Sequence, residues 1–288
     1  MTFPHQLIAL LVTFIWGTNF VLIKIGLDDF PPYLFVFLRF LLAAFPLILF
    51  LPKPKVPWWM IASYGVFIGF GQFGLLFWAM QENITPGLAS LVVQAQVFFT
   101  ILLAAVWFHE QINVKQIWAL AFCAAGLLLI AFQTDGQTTL LGLGIVLIAA
   151  ASWAGGNLVV KRAGKVDIIA FLAWSAIFAL PPLLAMSLYF EGAALMLSSV
   201  HNASLGAWSI LLWQTVGNTM IGYGLWNVLL LKYPANSVTP WALMVPVFGI
   251  AASSVFLQEP LPWWKLLASG LILLGLVLNV RAVHQRSI

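Results

Sequence analysis

Charge is what this sequence has least of: Asp, Glu, Lys and Arg make up 7% of 288 residues while 63% are hydrophobic. An ordinary soluble domain carries about a quarter charged residues. Twelve Lys and Arg with eight Asp and Glu cannot cover a water-facing surface, so a soluble domain is excluded and the surroundings must be a lipid bilayer. Cysteine is nearly absent. The single Cys123 lies in an apolar run, which excludes an intrachain disulfide. The four His fall near the ends of apolar runs or in loops, and no Cys/His cluster, P-loop or deep acidic pair is present. His109-Glu110-Gln111-Ile112-Asn113 stops short of the zinc-protease motif HExxH. No metal, no cofactor and no catalytic residue are therefore expected. Fourteen Trp against so few charges, at a net +4, is not a nucleic-acid pattern, so no nucleic-acid partner is expected either.

What is present is length of apolar chain. Charges, Pro clusters and turn residues cut the sequence into ten apolar segments: residues 6–26, 33–51, 58–81, 86–108, 115–132, 140–160, 168–190, 206–231, 235–257 and 264–281. About 20 apolar residues cross a bilayer as a helix. These runs are continuously apolar rather than alternating, which excludes barrel strands. The first segment lacks a basic leader and a small-residue cleavage site, so it reads as a retained helix.

With the N-terminus on the cytoplasmic side, Lys53, Lys55, Lys115, Lys161, Arg162, Lys165, Lys232, Arg281 and Arg286 all fall inside, nine of the twelve basic residues. Asp28, Asp29, Glu82, Asp135, Glu191 and Glu259 then fall outside. This bias predicts that both termini are cytoplasmic.

The sequence also repeats. Trp16-Gly17-Thr18-Asn19 with Lys24 matches Trp153-Ala154-Gly155-Gly156-Asn157 with Lys161, and the Pro86 segment closing on Glu110 matches the Pro234 segment closing on Glu259. The separations, 137 to 149 residues, are about half the chain, which predicts two five-helix units at 1–135 and 136–288. Five is odd, so the second unit is inserted upside down. Inverted repeats are a transporter construction, in which opposed halves alternate access around a central site. The fold expected is an all-α membrane protein of ten transmembrane helices in two inverted-topology repeats.

The Trp-Gly-x-Asn-Phe-x-x-x-Lys run at 16–24, Pro246-Val247-Phe248 thirteen residues before Glu259, and the two Glu-closed segments resemble the drug/metabolite transporter superfamily, EamA family. Gly87-Leu88-Ala89-Ser90-Leu91-Val92, Gln94-Ala95-Gln96, Ser152-Trp153-Ala154 and Gly222-Tyr223-Gly224 are similar to members that export cysteine and O-acetylserine. The resemblance spans the whole chain. It implies a bacterial inner-membrane exporter of amino-acid metabolites with a cavity between its halves. The tandem Trp58-Trp59 and Trp263-Trp264 depart from the family pattern.

Arg39 lies about seven residues into the second segment, where a charge is expensive. Two readings are open. A guanidinium in a wet cavity suits a substrate carboxylate; alternatively it snorkels or pairs with Asp28, Asp29 or Glu82. Amides inside apolar runs form the second candidate set: Asn19, Gln72, Gln94, Gln96, Asn157, Gln214, Asn218 and Asn227. They line a cavity or glue helices together. Trp16 and Asn19, Trp153 and Asn157, and Tyr223 and Asn227 share helix faces. Gln94 and Gln96 point about 200° apart on an α-helix, so at most one is expected to face a cavity. Trp16, Trp153, Trp174, Trp213, Trp226 and Trp241 lie too deep for an interfacial belt, whereas Trp58, Trp59, Trp263 and Trp264 suit one. Pro46, Pro181, Pro182, Pro240 and Pro246 are candidate hinges.

The expected function is export of a small amino-acid-type metabolite, with Arg39, Trp16, Asn19, Gln72, Gln94, Gln96, Trp153, Asn157, Trp174, Tyr223, Trp226 and Asn227 around the substrate. The partners are that substrate and the bilayer; the sequence sets neither coupling ion nor oligomeric state. Alternatives are export of hydrophobic or cationic drugs or of other metabolites and, from another class, a membrane enzyme or lipid-handling protein.

Overall fold

A computed structural model describes residues 1–45, 47–109, 112–133, 138–164, 166–233 and 238–284. Among them the regular structure is helical, with no strand. The first half contributes α1 (Phe3–Gly26), α2 (Pro32–Ala44), α3 (Trp58–Glu82), α4 (Pro86–Trp107) and α5 (Val114–Phe132). The second contributes α6 (Leu140–Ala163), α7 (Ile168–Asn202), α8 (residues 205–232), α9 (Trp241–Phe256) and α10 (Trp263–His284). Among the described residues seven helices, α1 to α7, are long and apolar enough to cross a membrane when Leu47–Phe50 is counted with α2. Two shorter apolar helices lie at 241–256 and 263–279. The chain is thus a multi-pass membrane protein. Pro46, Glu110, Gln111 and residues 134–137, 165, 234–237 and 285–288 lie outside the described residues, and with them one candidate hinge and the first of the two closing glutamates.

Local chemistry explains the helix starts. Pro begins α1, α2 and α4 in the first turn, where its missing N–H is no loss. Asn113 and Gln116 make a reciprocal capping box at α5. Thr139, Asp167 and Ser204 cap α6, α7 and α8 through their side-chain oxygens. At the end of α1, Lys24 donates to the carbonyls of Met80 and Gln81, the last turn of α3. A cation there meets the negative end of the helix dipole. The seventh segment runs on to Asn202, twelve residues past the expected 190. Gly192, at φ 78° and ψ 150°, interrupts the helical backbone, and a second helical stretch follows it directly. The Ala- and Leu-rich stretch beyond it is a good helix former without a fully buried residue, though Met196 packs against the core.

The main helix contacts join the two halves. α5 packs on α10, α1 and α4 on α9, α2 on α7, and α3 on α6 and α7. Small residues set the close approaches. A Cβ placed on Gly65 would lie 2.0 Å from the Ser175 carbonyl oxygen of α7, and one on Gly69 would lie 2.2 Å from Ala179 Cβ. The Gly65/Gly69 pair therefore seats α3 on α7 within the bundle. Gly65→Ala should destabilise the protein by about 1–3 kcal/mol, the range for overpacking, read as a lowered unfolding temperature in detergent. Gly144→Ala, where nothing lies within 4 Å, should leave that temperature unchanged. Equal effects would show that the α3–α7 approach is loose.

Candidate functional site

Several of the helices, among them three that line the interior, are not α-helical throughout. α3 winds as a π-helix over Val66–Gly74 and α8 over Trp213–Gly222. α4 tightens to a 3-10 turn at Val93–Ala95. Such departures free or re-aim polar groups and recur at functional sites. They place Gln72, Gln94 and Asn218 on the wall of one cavity of about 520 Å³. The 3-10 turn also corrects the expectation for Gln94 and Gln96: both line the cavity. Three residues per turn leaves positions i and i+2 about 120° apart instead of about 160°.

Eight of the twelve residues expected around a substrate meet here. Asn19, Gln72, Gln94 and Gln96 come from the first half, with Trp16 beside them, and Trp153, Asn157 and Trp226 from the second. Their polar groups are tied across the halves. Asn157 Nδ2 donates to Gln96 Oε1 (2.9 Å) and Thr100 Oγ1 (3.2 Å). Trp16 Nε1 donates to the Asn218 carbonyl (3.3 Å), and its ring lies 5.3 Å from that of Trp226. Asn19 Nδ2 donates to Gln214 Oε1 (3.1 Å). The described lining is amide, hydroxyl, aromatic and aliphatic, without a charged side chain.

Arg39 and Trp174 stand elsewhere. Trp174 Nε1 donates to the Leu51 carbonyl (3.1 Å) and its ring packs on Trp58, near the end of α3 opposite Asn83. Arg39 is 2% exposed and lines a separate niche of about 80 Å³. Its Nη1 donates to Gln214 Oε1 (3.1 Å), its Nη2 to Thr219 Oγ1 (3.2 Å), and its guanidinium lies 4.0 Å over the Phe73 ring. Phe73 lines both spaces, so one aromatic ring divides the cation from the cavity. Arg39 thus reaches the cavity through Gln214 rather than directly. The side chains of Tyr223 and Asn227 lie outside those described.

Thr100 and Asn279 also line the cavity, and sequence reasoning passed over both. Asn279 stands two residues before Arg281 and reads as the end of a span. Both π segments are rich in glycine, with Gly69, Gly71 and Gly74 around Gln72 and Gly217 and Gly222 around Asn218. Among the tandem tryptophans, Trp58, Trp59 and Trp263 are exposed as a belt requires, but Trp264 is buried in the core.

One end of the bundle is closed by carboxylates. Glu191, at the π turn of α7, accepts from the Tyr33 and Leu34 amides (2.6 and 3.1 Å), the start of α2. Glu259 accepts from the Gly87 amide (3.0 Å) and the Thr85 hydroxyl at the start of α4, and pairs with buried Lys265 (2.8 Å). Each acidic group from the second half satisfies a helix start in the first, where free amides and the dipole favour an anion. Glu259, which the sequence places outside at the end of a segment, is buried, and so is Lys265 beside it.

The model of the EamA-like transporter family matches the chain twice, over residues 4–132 and 140–281. The chain belongs to that family. Among its relatives, a probable amino-acid metabolite efflux pump of Escherichia coli (strain K12) is 39% identical over 99% of this chain and 98% of its own length. One of the same description from Salmonella typhimurium is 41% identical over 97% and 95%. A solved structure with 16% identity superposes with a TM-score of 0.65, covering 96% of this chain and 95% of its own, which supports the fold alone. This EamA-like chain is accordingly a membrane transporter by family, and the duplicated match agrees with a repeat of about half its length.

Proposed function

We propose that this chain is a bacterial inner-membrane secondary transporter exporting small amino-acid-type metabolites by alternating access. In this reading ten spans cross the bilayer with both termini cytoplasmic. The cavity between the repeats carries the substrate, and the carboxylate-capped end faces outward. The observation that carries it is the cavity itself: amides and indoles from both halves converge there, within the 300–1,000 Å³ of small-molecule sites. The relatives' printed function, amino-acid metabolite efflux, supports the substrate class. Trp16, Asn19, Gln72, Gln94, Gln96, Trp153, Asn157 and Trp226 contact the substrate, and Arg39 acts through Gln214.

Proteoliposomes loaded with a panel of labelled amino acids, assayed with and without a pH gradient, test substrate and coupling together. Efflux above that of empty-protein vesicles is expected for at least one member. Asn157→Leu, which removes the donor to Gln96 and Thr100, should slow it about tenfold or more. Efflux of none of the panel overturns the amino-acid reading. The indole-rich wall favours a second reading, export of hydrophobic or cationic compounds, and the same vesicles loaded with an aromatic cation distinguish it.

A further inference from the structure

The orientation of one cavity amide, Asn19, is fixed by a charge outside the cavity. A guanidinium offers only donors, so Gln214 must turn its carbonyl oxygen toward Arg39 Nη1. That same oxygen accepts from Asn19 Nδ2, which fixes Asn19 in turn. Its NH2 faces Gln214, and its Oδ1 is left as an acceptor. Amide orientation is ordinarily ambiguous; here the cation at the head of the chain removes the ambiguity.

Asn19 lines the cavity at 3% exposure, and its Oδ1 has no hydrogen-bond partner in the protein. Gln72 Oε1 and Asn218 Oδ1, from the two π-helical segments that line the same cavity, are likewise buried and unpartnered. Buried acceptors are costly until a donor reaches them. Three in the lining of one cavity match a group with several N–H donors. The rest of the surroundings suits a cation. Trp16, Trp153 and Trp226 line the cavity, and indole faces attract ammonium groups. Phe73 covers the Arg39 guanidinium from the cavity side.

We propose that Asn19 Oδ1, with the amide oxygens of Gln72 and Asn218, forms the subsite for the substrate's amino group, and that Arg39 and Gln214 are positioning residues that hold Asn19 in its accepting orientation. This rests on the reading of the cavity as the transport site and names the end of the substrate that is recognised there. It reverses the role first suggested by an intramembrane arginine, which would be to bind the carboxylate.

The test uses three probes with one side chain on the purified full-length protein: L-methionine, L-methioninamide, which keeps the ammonium group, and N-acetyl-L-methionine, which keeps the carboxylate. Methioninamide should bind at least tenfold more tightly than N-acetylmethionine. Asn19→Leu should bring that ratio close to one. Gln214→Glu keeps an acceptor for both Arg39 and Asn19 and should preserve the ratio, whereas Gln214→Leu should lose it. Gln72→Leu and Asn218→Leu, each expected to lower the ratio, keep the test open should Asn19→Leu fail to fold.

Equal binding of the two derivatives by the unaltered protein, no binding of methioninamide, or an unchanged ratio in Asn19→Leu overturns the subsite. Asn19-dependent methioninamide binding without efflux of any amino acid leaves the subsite standing and removes the amino-acid reading. Amino-acid efflux together with equal binding of the derivatives does the reverse.

Discussion

Glu259→Ala should lower the stability of this transporter by about 3–5 kcal/mol, the range for removing one partner of a buried ion pair. Lys265 is fully buried and holds Glu259 at 2.8 Å. The substitution also removes the acceptor of the Gly87 amide and the Thr85 hydroxyl at the start of α4. Unfolding temperature in detergent reads the effect. Glu259→Gln keeps a neutral acceptor at the helix start and should fall between the two. Replacing both members, Glu259→Leu with Lys265→Met, should recover part of the loss, because the buried ammonium is gone while α4 still lacks its acceptor. A decrease of under a degree in Glu259→Ala would mean that the pair does not hold this end of the bundle.

Arg39→Lys should reduce the initial rate of efflux more than tenfold while the protein still inserts and folds. The guanidinium satisfies acceptors in two directions, Gln214 and Thr219, and lies flat over Phe73. An ammonium group is a compact point charge that cannot reproduce the fork or the stacking. Thr219 in turn donates to the Gln214 carbonyl across the π turn of α8. Loosening Arg39 therefore loosens the cavity wall itself. The defect should appear chiefly as weaker apparent affinity, in contrast to Gly65→Ala, whose defect is in stability. Unimpaired efflux by Arg39→Lys would remove Arg39 from the functional network.

Much of this was legible in the sequence, for physical reasons. A bilayer forces long apolar helices, so the segments from 3 to 163 could be placed within a few residues. Amides in lipid must face something polar, which is why Asn19, Gln72, Gln94, Gln96 and Asn157 could be chosen as cavity residues. What could not be read was backbone winding. The π segments of α3 and α8 and the 3-10 turn of α4 change which side chains share a face, and a fixed 100° step per residue misassigns Gln94 against Gln96. Tertiary burial was equally hidden. Glu259, Lys265 and Trp264 look interfacial by position, and only the docking of the second half onto α4 encloses them. Trp174 shows the converse, a deep-looking indole that a carbonyl beyond α2, that of Leu51, holds away from the cavity.

The carboxylates that satisfy the starts of α2 and α4 lie far along the chain, at positions 191 and 259. A ribosome delivers residues in order, at about 5–20 per second, so both helix starts are in the membrane for many seconds before their acceptors exist. Until then the amides of Tyr33, Leu34 and Gly87 are left to interfacial water, which a newly inserted helix end can still reach. The capped end of the bundle can therefore be completed only by exchange of water for carboxylate, once the second repeat has docked on the first.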